Sequence, residues 1–260
     1  MDSATEFTGH IALVTAAAGM GVGQAVARRL AAGGAHVVVT DVHATRTWEV
    51  TSRLNQEFPA SGATGFVLDA GDPAQIDAVL DEIRGHIGTV DILVNNAAVN
   101  WAGPVWDYPL DKWRRTLDVN VTGPWYLARQ VMGDLRRAGR GGAIINISSG
   151  AAEEGGRFGG EPVYAITKGA MQTMTRALAV DGGPHGIRVN SVSVGVVADS
   201  KFIRDHPDQN VRWLPQVVLG RHVLARDVAE AVAFLASAER AGMITGDILS
   251  VNGGSMMRGA

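Results

Sequence analysis

The sequence predicts an α/β fold in which one doubly wound parallel sheet of about seven strands is covered by helices on both faces. Short, nearly continuous apolar runs recur along the 260 residues, and stretches with helical period separate them. Apolar character on both faces is typical of parallel strands buried between helices. Strand alternating with helix predicts βαβ units with right-handed crossovers. Because no repeat or linker interrupts the alternation, we expect a single domain over residues 1–260.

Seven short runs are the predicted strands of this sheet. They cover residues 11–15, 36–40, 65–68, 91–94, 143–147, 187–193 and 247–251. Between them, apolar residues repeat at the period of a helix that buries one face, as at Ile76, Val79, Leu80 and Ile83. Residues 196–219 break the alternation and are too long for an ordinary connection. We expect them to form a mobile substrate lid with short helices.

The composition argues against several classes of function. The formal net charge of −3 includes no basic surplus, which disfavours a nucleic acid partner. The chain has no cysteine, which excludes disulfides and thiolate chemistry, and its seven histidines show no metal-binding spacing, so no metal is expected. We expect neither a secretion signal nor a membrane span, because no apolar run approaches the roughly 18 residues that a span needs. The expected location is the cytoplasm.

A glycine-rich turn follows the first predicted strand and opens a helix. Gly21 and Gly23 would let the backbone approach a pyrophosphate, and Gly21, Val22 and Gly23 begin a helix whose unpaired N–H groups favour anions. This position, at the first strand-to-helix connection, is the one that the dinucleotide fingerprint requires. The sequence therefore predicts a Rossmann nucleotide site, with a turn that binds nothing as the alternative.

Asp41 ends the second predicted strand and bears on the choice of cofactor. A carboxylate at this place can accept hydrogen bonds from both hydroxyls of the adenosine ribose and would repel a 2′-phosphate. This favours NAD over NADP. Two alternatives stay open: Asp41 could be a solvated turn residue, and the nearby Arg46 could serve a 2′-phosphate.

Tyr164 and Lys168 are the candidate catalytic pair. Their i, i+4 spacing places the phenol and the ammonium on one face of a helix. A phenol has a pKa near 10 and is a poor base at neutral pH, but a neighbouring cation lowers that pKa. Tyr164 could then exchange a proton with a substrate hydroxyl while a hydride moves to or from a nicotinamide. An isolated pair of this kind is more often a surface contact.

Several motifs, in this order and at nearly this spacing, resemble the short-chain dehydrogenase/reductase family over about residues 8–255. The resemblance implies a hydride transfer between NAD(H) and a secondary alcohol or ketone. It also implies a homotetramer packed partly through residues 110–138 and 164–181. The motifs are the glycine-rich turn, Asn95-Asn96-Ala97-Ala98, Asn120, Ser148-Ser149, Tyr164-x-x-x-Lys168, the stretch 184–190 and the stretch 244–254.

The resemblance assigns roles in catalysis to four residues. Tyr164 would be the acid/base, and Lys168 would lower its pKa and hold the nicotinamide ribose. Ser149 would bind the substrate oxygen and stabilise developing charge, and Asn120 would hold a water of a proton relay. Two alternatives stay open: Ser148 could be the catalytic hydroxyl, and Asn120 could cap a turn.

The resemblance also assigns contacts with the cofactor. Asp69 and the backbone of Ala70 would meet the adenine, and Asn96 would line the adenosine ribose. Ile147 and Val197 would wall the nicotinamide. Asp69 could instead be a plain residue at the end of a strand.

The chain departs from the family pattern in five places, the smallest of which is Ala98 in place of a glycine after Asn95-Asn96-Ala97. Ala16 stands where the first glycine is usual, and the glycine-rich turn is one residue longer. The separation of Ser149 and Tyr164 is 15 residues instead of 13, which lengthens the loop that contains Glu153, Glu154, Gly155 and Gly156. Val194 replaces a proline. Asp199 stands where a threonine often binds the carboxamide, a task that Ser200 could take.

These features predict an NAD-dependent alcohol dehydrogenase or ketone reductase acting on a mostly apolar or extended small-molecule substrate. Two alternatives are an NADPH-dependent 3-oxoacyl reductase and a nucleotide-binding module without turnover. The expected walls of the substrate pocket are Glu153, Glu154, Phe158, Trp101, Val194, Phe202, Trp213 and Leu214.

Overall fold

The computed structural model describes residues 5–156 and 160–257. Within them, seven parallel strands form one sheet in the order β3-β2-β1-β4-β5-β6-β7. The predicted fold class is confirmed, and each strand lies within two residues of its expected bounds. The strands are β1 (Ile11–Val14), β2 (His36–Asp41), β3 (Ala63–Val67), β4 (Ile92–Asn95), β5 (Gly142–Ser149), β6 (Ile187–Val194) and β7 (Ile248–Val251).

The helices lie between the strands along the chain. A π-helical turn, Asp118–Thr122, joins α4 to α5 without a break, and short 3-10 turns occur at Val105–Asp107, Gly183–His185 and Leu214–Gln216. The α-helices of the described residues are α1 (Val22–Ala32), α2 (Ala44–Glu57), α3 (Pro73–His86), α4 (Leu110–Leu117), α5 (Gly123–Arg137), α6 (Ala151–Glu154), α7 (Pro162–Gly182), α8 (Lys201–Asp205), α9 (Pro207–Trp213), α10 (Ala225–Ala236) and α11 (Ala238–Ala241).

Two hydrophobic cores lie on opposite faces of the sheet. Helices α1, α2 and α10 cover one face, and α3, α5 and α7 cover the other. Successive residues of β1 belong to different cores, since Leu13 packs with the second group and Val14 with the first. Side chains alternate between the faces of a strand, so a strand covered on both faces must be apolar throughout. This is why the strands are nearly continuous apolar runs in the sequence.

The strand order reverses between β1 and β4, which places a crevice beyond the carboxyl ends of these two strands. In open α/β sheets, ligands bind at this kind of topological switch point. The loop after β1 is the glycine-rich turn, and the loop after β4 begins at Asn96. The sheet therefore brings two of the predicted cofactor motifs to one edge.

Residues 196–219 contain the short helices α8 and α9, as the sequence predicted. The start of this segment is joined to the residues that follow it, because Val197 pairs with Val223 in an isolated bridge. Asp199 Oδ1 also accepts a hydrogen bond of 2.8 Å from the N–H of Ala225, at the start of α10. That the segment moves as a lid stays a prediction. None of the described helices is both long enough and apolar enough to cross a membrane.

Candidate functional site

The glycine-rich turn is built around two backbone constraints. Ala16 has φ = 50°, and among the described residues it is the one non-glycine residue with a positive φ. This left-handed conformation costs an alanine about 1 kcal/mol, and it explains why the family usually has glycine there. At Gly23, a Cβ would lie 2.4 Å from the carbonyl oxygen of Ala16 and 2.5 Å from Asn96 Nδ2. Only glycine fits at this start of α1.

Asn96 holds the turn from the neighbouring strand. Its Nδ2 donates to the carbonyl oxygens of Thr15, at 2.9 Å, and Ala16, at 3.2 Å. The hydroxyl of Thr15 accepts from the N–H groups of Asn96 and Ala97. Asn96 also lines the cavity described below. The side chain therefore fixes the first strand-to-helix connection and faces the space where the resemblance puts a ribose.

Asp41 lies beside the same turn. Its side chain is 7% exposed, so it is not a solvated turn residue. It accepts hydrogen bonds from the backbone N–H groups of Ala18 and Gly19 and from that of His43 at 3.1 Å, and Arg46 lies 3.7 Å away. Burial raises the pKa of the carboxyl, while the N–H donors and Arg46 act in the opposite direction. Asp41 thus ties the end of β2 to the glycine-rich turn.

Asp69 has a partner that the sequence did not indicate. Both of its carboxylate oxygens accept from Arg115 Nη2, at 2.8 and 2.7 Å, and Oδ1 accepts from the N–H of Gly71. Burial acts to raise the pKa of Asp69, but Arg115 and Gly71 stabilise the carboxylate more and hold the pKa below its ordinary value. Ala70, whose backbone the resemblance assigns to adenine, is buried beside it.

Tyr164 and Lys168 lie on the first two turns of α7, which begins at Pro162. The ammonium nitrogen of Lys168 lies 5.4 Å from the centre of the Tyr164 ring and donates to the carbonyl oxygen of Ile147 at 2.7 Å. Lys168 is only 1% exposed. Tyr164 is half-buried, lines the cavity, and its hydroxyl is hydrogen-bonded to the hydroxyl of Ser149. The pair is therefore not a surface contact.

Burial shifts the pKa of both groups, and the pKa of Tyr164 moves upwards, contrary to the expected lowering by Lys168. It lowers the pKa of Lys168 from 10.5 to about 8. Burial also raises the pKa of Tyr164 above its ordinary value; the negative charge of Glu161 adds to that rise, and the hydrogen bond with Ser149 opposes it. Charge near a titratable group shifts its pKa in the direction that pairs opposite charges. A positive charge brought into the cavity would therefore favour the phenolate.

The two adjacent serines face different surroundings. Ser148 is 2% exposed; its hydroxyl donates to the carbonyl oxygen of Lys168 at 3.2 Å and accepts from Gln172 Nε2. Ser149 lines the cavity, where it meets the hydroxyl of Tyr164. The alternation of side chains along β5 thus brings Ser149, and not Ser148, to the candidate catalytic group.

Asn120 lies in the π-helical turn between α4 and α5. Its side chain accepts from the N–H of Val99 at 2.8 Å, and its Nδ2 donates to the carbonyl oxygen of Val99 and to the hydroxyl of Thr167. It therefore connects the loop after β4 with α7, the helix of the catalytic pair. This is a long-range link and not the local turn cap that was one reading of the sequence.

One cavity of about 460 Å³ runs from the glycine-rich turn to Tyr164. Among the expected pocket walls, Glu154, Val194 and Trp213 line it. Trp101, Glu153 and Leu214 do not: Lys112 lies over the Trp101 ring at 6.0 Å, and Glu153 accepts from Gln172. Phe158 lies outside the described residues, as does the side chain of Phe202. Lining residues that the sequence analysis did not name include Asn100, Glu161, His222 and Met256.

The part of the cavity where the resemblance places the nicotinamide differs from the expectation at two residues, Ile147 and Asp199. Val197 and Ser200 line the cavity, whereas Ile147 contributes its carbonyl oxygen to Lys168 and its side chain is not part of the lining. The carboxylate of Asp199 accepts from Ala225 and so caps α10. Asp199 is therefore a structural residue, and the neighbouring hydroxyl of Ser200 is the polar group available in the lining.

Comparison with known proteins agrees with this geometry. A family model described as enoyl-(acyl carrier protein) reductase matches residues 16–256. The chain is 37% identical over 251 residues to the 3-oxoacyl-[acyl-carrier-protein] reductase FabG of Escherichia coli (strain K12), covering 96% of this chain and 99% of that protein. It is 32% identical to the meso-2,3-butanediol dehydrogenase of Serratia marcescens, covering 96% and 95% of the two chains.

Solved structures give the same result. A short-chain type dehydrogenase/reductase from Mycobacterium marinum superposes with a TM-score of 0.91 at 30% identity, covering 98% of this chain and 99% of that one. A blue fluorescent protein from a metagenomic library, solved in complex with NADPH, superposes with a TM-score of 0.83 at 35% identity, covering 97% and 100%. The chain belongs to the short-chain dehydrogenase/reductase family and is an oxidoreductase of alcohols or ketones that uses a nicotinamide cofactor.

Proposed function

We propose that the protein transfers a hydride between NAD(H) and a secondary alcohol or ketone, acting on small molecules in the cytoplasm. One observation carries the proposal: the hydroxyls of Tyr164 and Ser149 are hydrogen-bonded in the same cavity that the glycine-rich turn opens into, and the buried ammonium of Lys168 lies 5.4 Å from the centre of the Tyr164 ring. A binding module without turnover would have no use for a desolvated ammonium beneath a phenol.

The residues of the cavity fit a dinucleotide. Gly23 and the N–H groups that begin α1 suit a pyrophosphate, and Asn96, Val197 and Ser200 line the path towards Tyr164. When bound, the nicotinamide supplies or accepts the hydride.

The chain itself supplies the proton and the orientation. In ketone reduction, Tyr164 donates its proton to the carbonyl oxygen, and in alcohol oxidation it takes the proton from the hydroxyl. Ser149 donates a hydrogen bond to the same oxygen and stabilises the charge that develops there. The ammonium of Lys168 stabilises the phenolate. Asn120, fixed between Val99 and Thr167, holds the water through which the proton reaches solvent.

The preference for NAD rests on Asp41. Its carboxylate stands at the end of β2, where a 2′-phosphate would meet a buried negative charge. One observation favours the alternative, an NADPH-dependent 3-oxoacyl reductase: Arg46 lies 3.7 Å from Asp41 and could pair with a phosphate. The names of the FabG relative and of the structural neighbour in complex with NADPH point the same way.

A comparison of NAD and NADP with a panel of secondary alcohols tests both readings. We expect the wild type to prefer NAD and the Asp41→Ala variant to lower the ratio of kcat/KM for NAD over NADP by about tenfold or more, the size of a lost charged hydrogen bond. Asp41→Asn is the matched control for the turn, because it keeps one acceptor oxygen for the backbone N–H groups and removes the charge. A wild type that prefers NADP would support the NADPH-dependent 3-oxoacyl reductase. An unchanged ratio of kcat/KM for NAD over NADP in Asp41→Ala would show that Asp41 does not bind the adenosine ribose.

We also propose that the protein assembles as a homotetramer through the helices α4, α5 and α7. Exposed apolar side chains on these helices are Leu110, Trp125, Ile166 and Val180, and apolar and aromatic side chains are enriched in the centres of interfaces. Trp125→Arg is expected to reduce the molar mass measured by light scattering on a sizing column. Trp48→Arg, which changes an exposed tryptophan of α2, is expected to leave it at four chains. A tetramer that survives Trp125→Arg would contradict this arrangement.

A further inference from the structure

Glu161 is a cavity residue that the proposed chemistry does not use. It directly precedes α7, lies three residues before Tyr164, and lines the same cavity while half-buried. Its backbone is fixed on both sides: its N–H donates to Gly156 at 3.2 Å, and its carbonyl oxygen accepts from Ala165 at 3.0 Å. The backbone that carries the carboxylate is therefore fixed, three residues before the phenol of Tyr164.

The negative charge of Glu161 faces the reacting end of the cavity. Residues three apart at a helix start have Cβ atoms roughly 5–6 Å apart, and the charge of Glu161 is felt at the Tyr164 hydroxyl, whose pKa it raises. The side chain of Asn100, which also lines the cavity, donates a hydrogen bond to Glu161. An ionised carboxylate offers about four acceptor sites and no donor. One amide leaves most of these sites for a ligand.

The charged residues that line the cavity limit the kind of substrate that can bind beside Tyr164. Among its described residues are two carboxylates, Glu154 and Glu161, and neither lysine nor arginine. A substrate carboxylate or phosphate near Tyr164 would meet like charge there. A substrate ammonium beside the reacting carbon would meet the buried ammonium of Lys168, 5.4 Å from the Tyr164 ring. A hydroxyl avoids both conflicts, since it can donate to Glu161 and accept from Asn100.

We propose that Glu161 and Asn100 bind a second hydroxyl on the carbon next to the reacting one, so that the substrates are vicinal diols and the matching α-hydroxyketones. This inference rests on the proposed function. The remainder of the substrate lies against the apolar lining, which includes Val197, Trp213 and Val217. Glu161 is here a specificity residue and takes no part in the proton transfer.

Matched pairs of alcohols test the inference. The probes are 2,3-butanediol against 2-butanol and 1,2-cyclohexanediol against cyclohexanol, with 1-amino-2-propanol and 3-hydroxybutyrate as cationic and anionic alcohols. For the wild type, we expect kcat/KM to be about tenfold to a hundredfold higher for the diol of each pair, the range of one hydrogen bond to a charged group. Glu161→Gln should bring the two members of a pair to within about threefold, chiefly by raising KM for the diol.

Controls separate this inference from the proposed function. Glu153→Gln changes a neighbouring carboxylate outside the cavity lining and should keep the preference for the diol. Glu161→Asp retains the charge and should keep part of that preference. It replaces Glu161→Gln in the test if Glu161→Gln fails to fold. Failure to oxidise any alcohol would overturn the proposed function. Three other results would overturn the role of Glu161 alone. The wild type could oxidise diols and simple alcohols at equal rates, or it could prefer the amino alcohol or the hydroxy acid. Folded Glu161→Gln could also keep the full preference for the diol.

Discussion

The Tyr164→Phe variant is expected to lose turnover by roughly a hundredfold to ten-thousandfold, the usual contribution of a positioned acid/base. The ring that packs over Lys168 stays in place, but the hydroxyl that meets Ser149 is gone. The loss should appear in kcat for both directions, because one group gives the proton in reduction and takes it in oxidation. The absorbance of the reduced cofactor measures it.

The binding of the cofactor is the internal control for Tyr164→Phe. The glycine-rich turn and Asn96 are untouched, so the Kd for NADH, measured by calorimetry, should stay within a few-fold of the wild type. Tyr126→Phe is the matched control, because its hydroxyl contacts Asp77, between α5 and α3, and not the cavity. If Tyr164→Phe kept wild-type kcat, the phenol would not be the proton carrier.

The Lys168→Met variant is expected to lose activity and to gain stability. The wild-type ammonium is 1% exposed, and burial lowers its pKa from 10.5 to about 8. That difference corresponds to about 3 kcal/mol of unfavourable free energy at neutral pH, since one pKa unit is worth 1.36 kcal/mol. Methionine removes the buried charge and also the hydrogen bond to Ile147, so we expect a net gain of about 1–3 kcal/mol.

The way in which the free energy of unfolding changes with pH gives a second test of the Lys168→Met prediction. Between pH 8 and 10.5, the folded lysine has lost its proton while the unfolded lysine still holds one. The unfolded chain then binds more protons, so this group makes the free energy of unfolding rise with pH across that window. Above pH 10, the raised pKa of Tyr164 acts in the opposite direction, because the folded phenol keeps a proton that the unfolded one has lost.

Denaturant unfolding at several values of pH from 7 to 9.5 measures this prediction. The wild type should gain stability from pH 8 upwards, and Lys168→Met should lack that gain. Lys201→Met, which removes a lysine with 66% of its side chain exposed, should keep the wild-type slope. A large loss of stability in Lys168→Met at pH 7 would show that the ammonium stabilises the fold, contrary to the expectation.

The fold was predictable because it depends on burial alone. A strand covered on both faces must be apolar at every position, so β1 and β4 stand out in the sequence without any knowledge of their neighbours. Gly23 was predicted from its place in a turn between a strand and a helix, whereas the contacts that require glycine there, with Ala16 and Asn96, appear only in the structure. The i, i+4 relation of Tyr164 and Lys168 follows from helix geometry.

The contacts that were missed depend on which way side chains turn in three dimensions. Arg115 donates to Asp69 although the two residues are 46 positions apart, and no local pattern in the sequence indicates this contact. Asp199 turns towards the start of α10, whereas its neighbour Ser200 lines the cavity. Glu161 could have been identified from the sequence as a site residue, since it precedes Tyr164 by about one helical turn. Its half-buried place in the cavity, however, depends on the loop of Gly156, whose carbonyl oxygen accepts from the N–H of Glu161.

The closure of residues 196–219 at their base affects how the cavity of such an enzyme can change between related proteins. The bridge between Val197 and Val223, with the bond from Ala225 to Asp199, closes the segment at its base. Inserting or deleting residues beyond that closure changes the entropy of the loop only slowly, by about 0.6 kcal/mol for each doubling of length. The register of β6 and the start of α10 need not shift. One wall of the cavity can therefore change during evolution while Ser149, Tyr164 and Lys168 keep their positions.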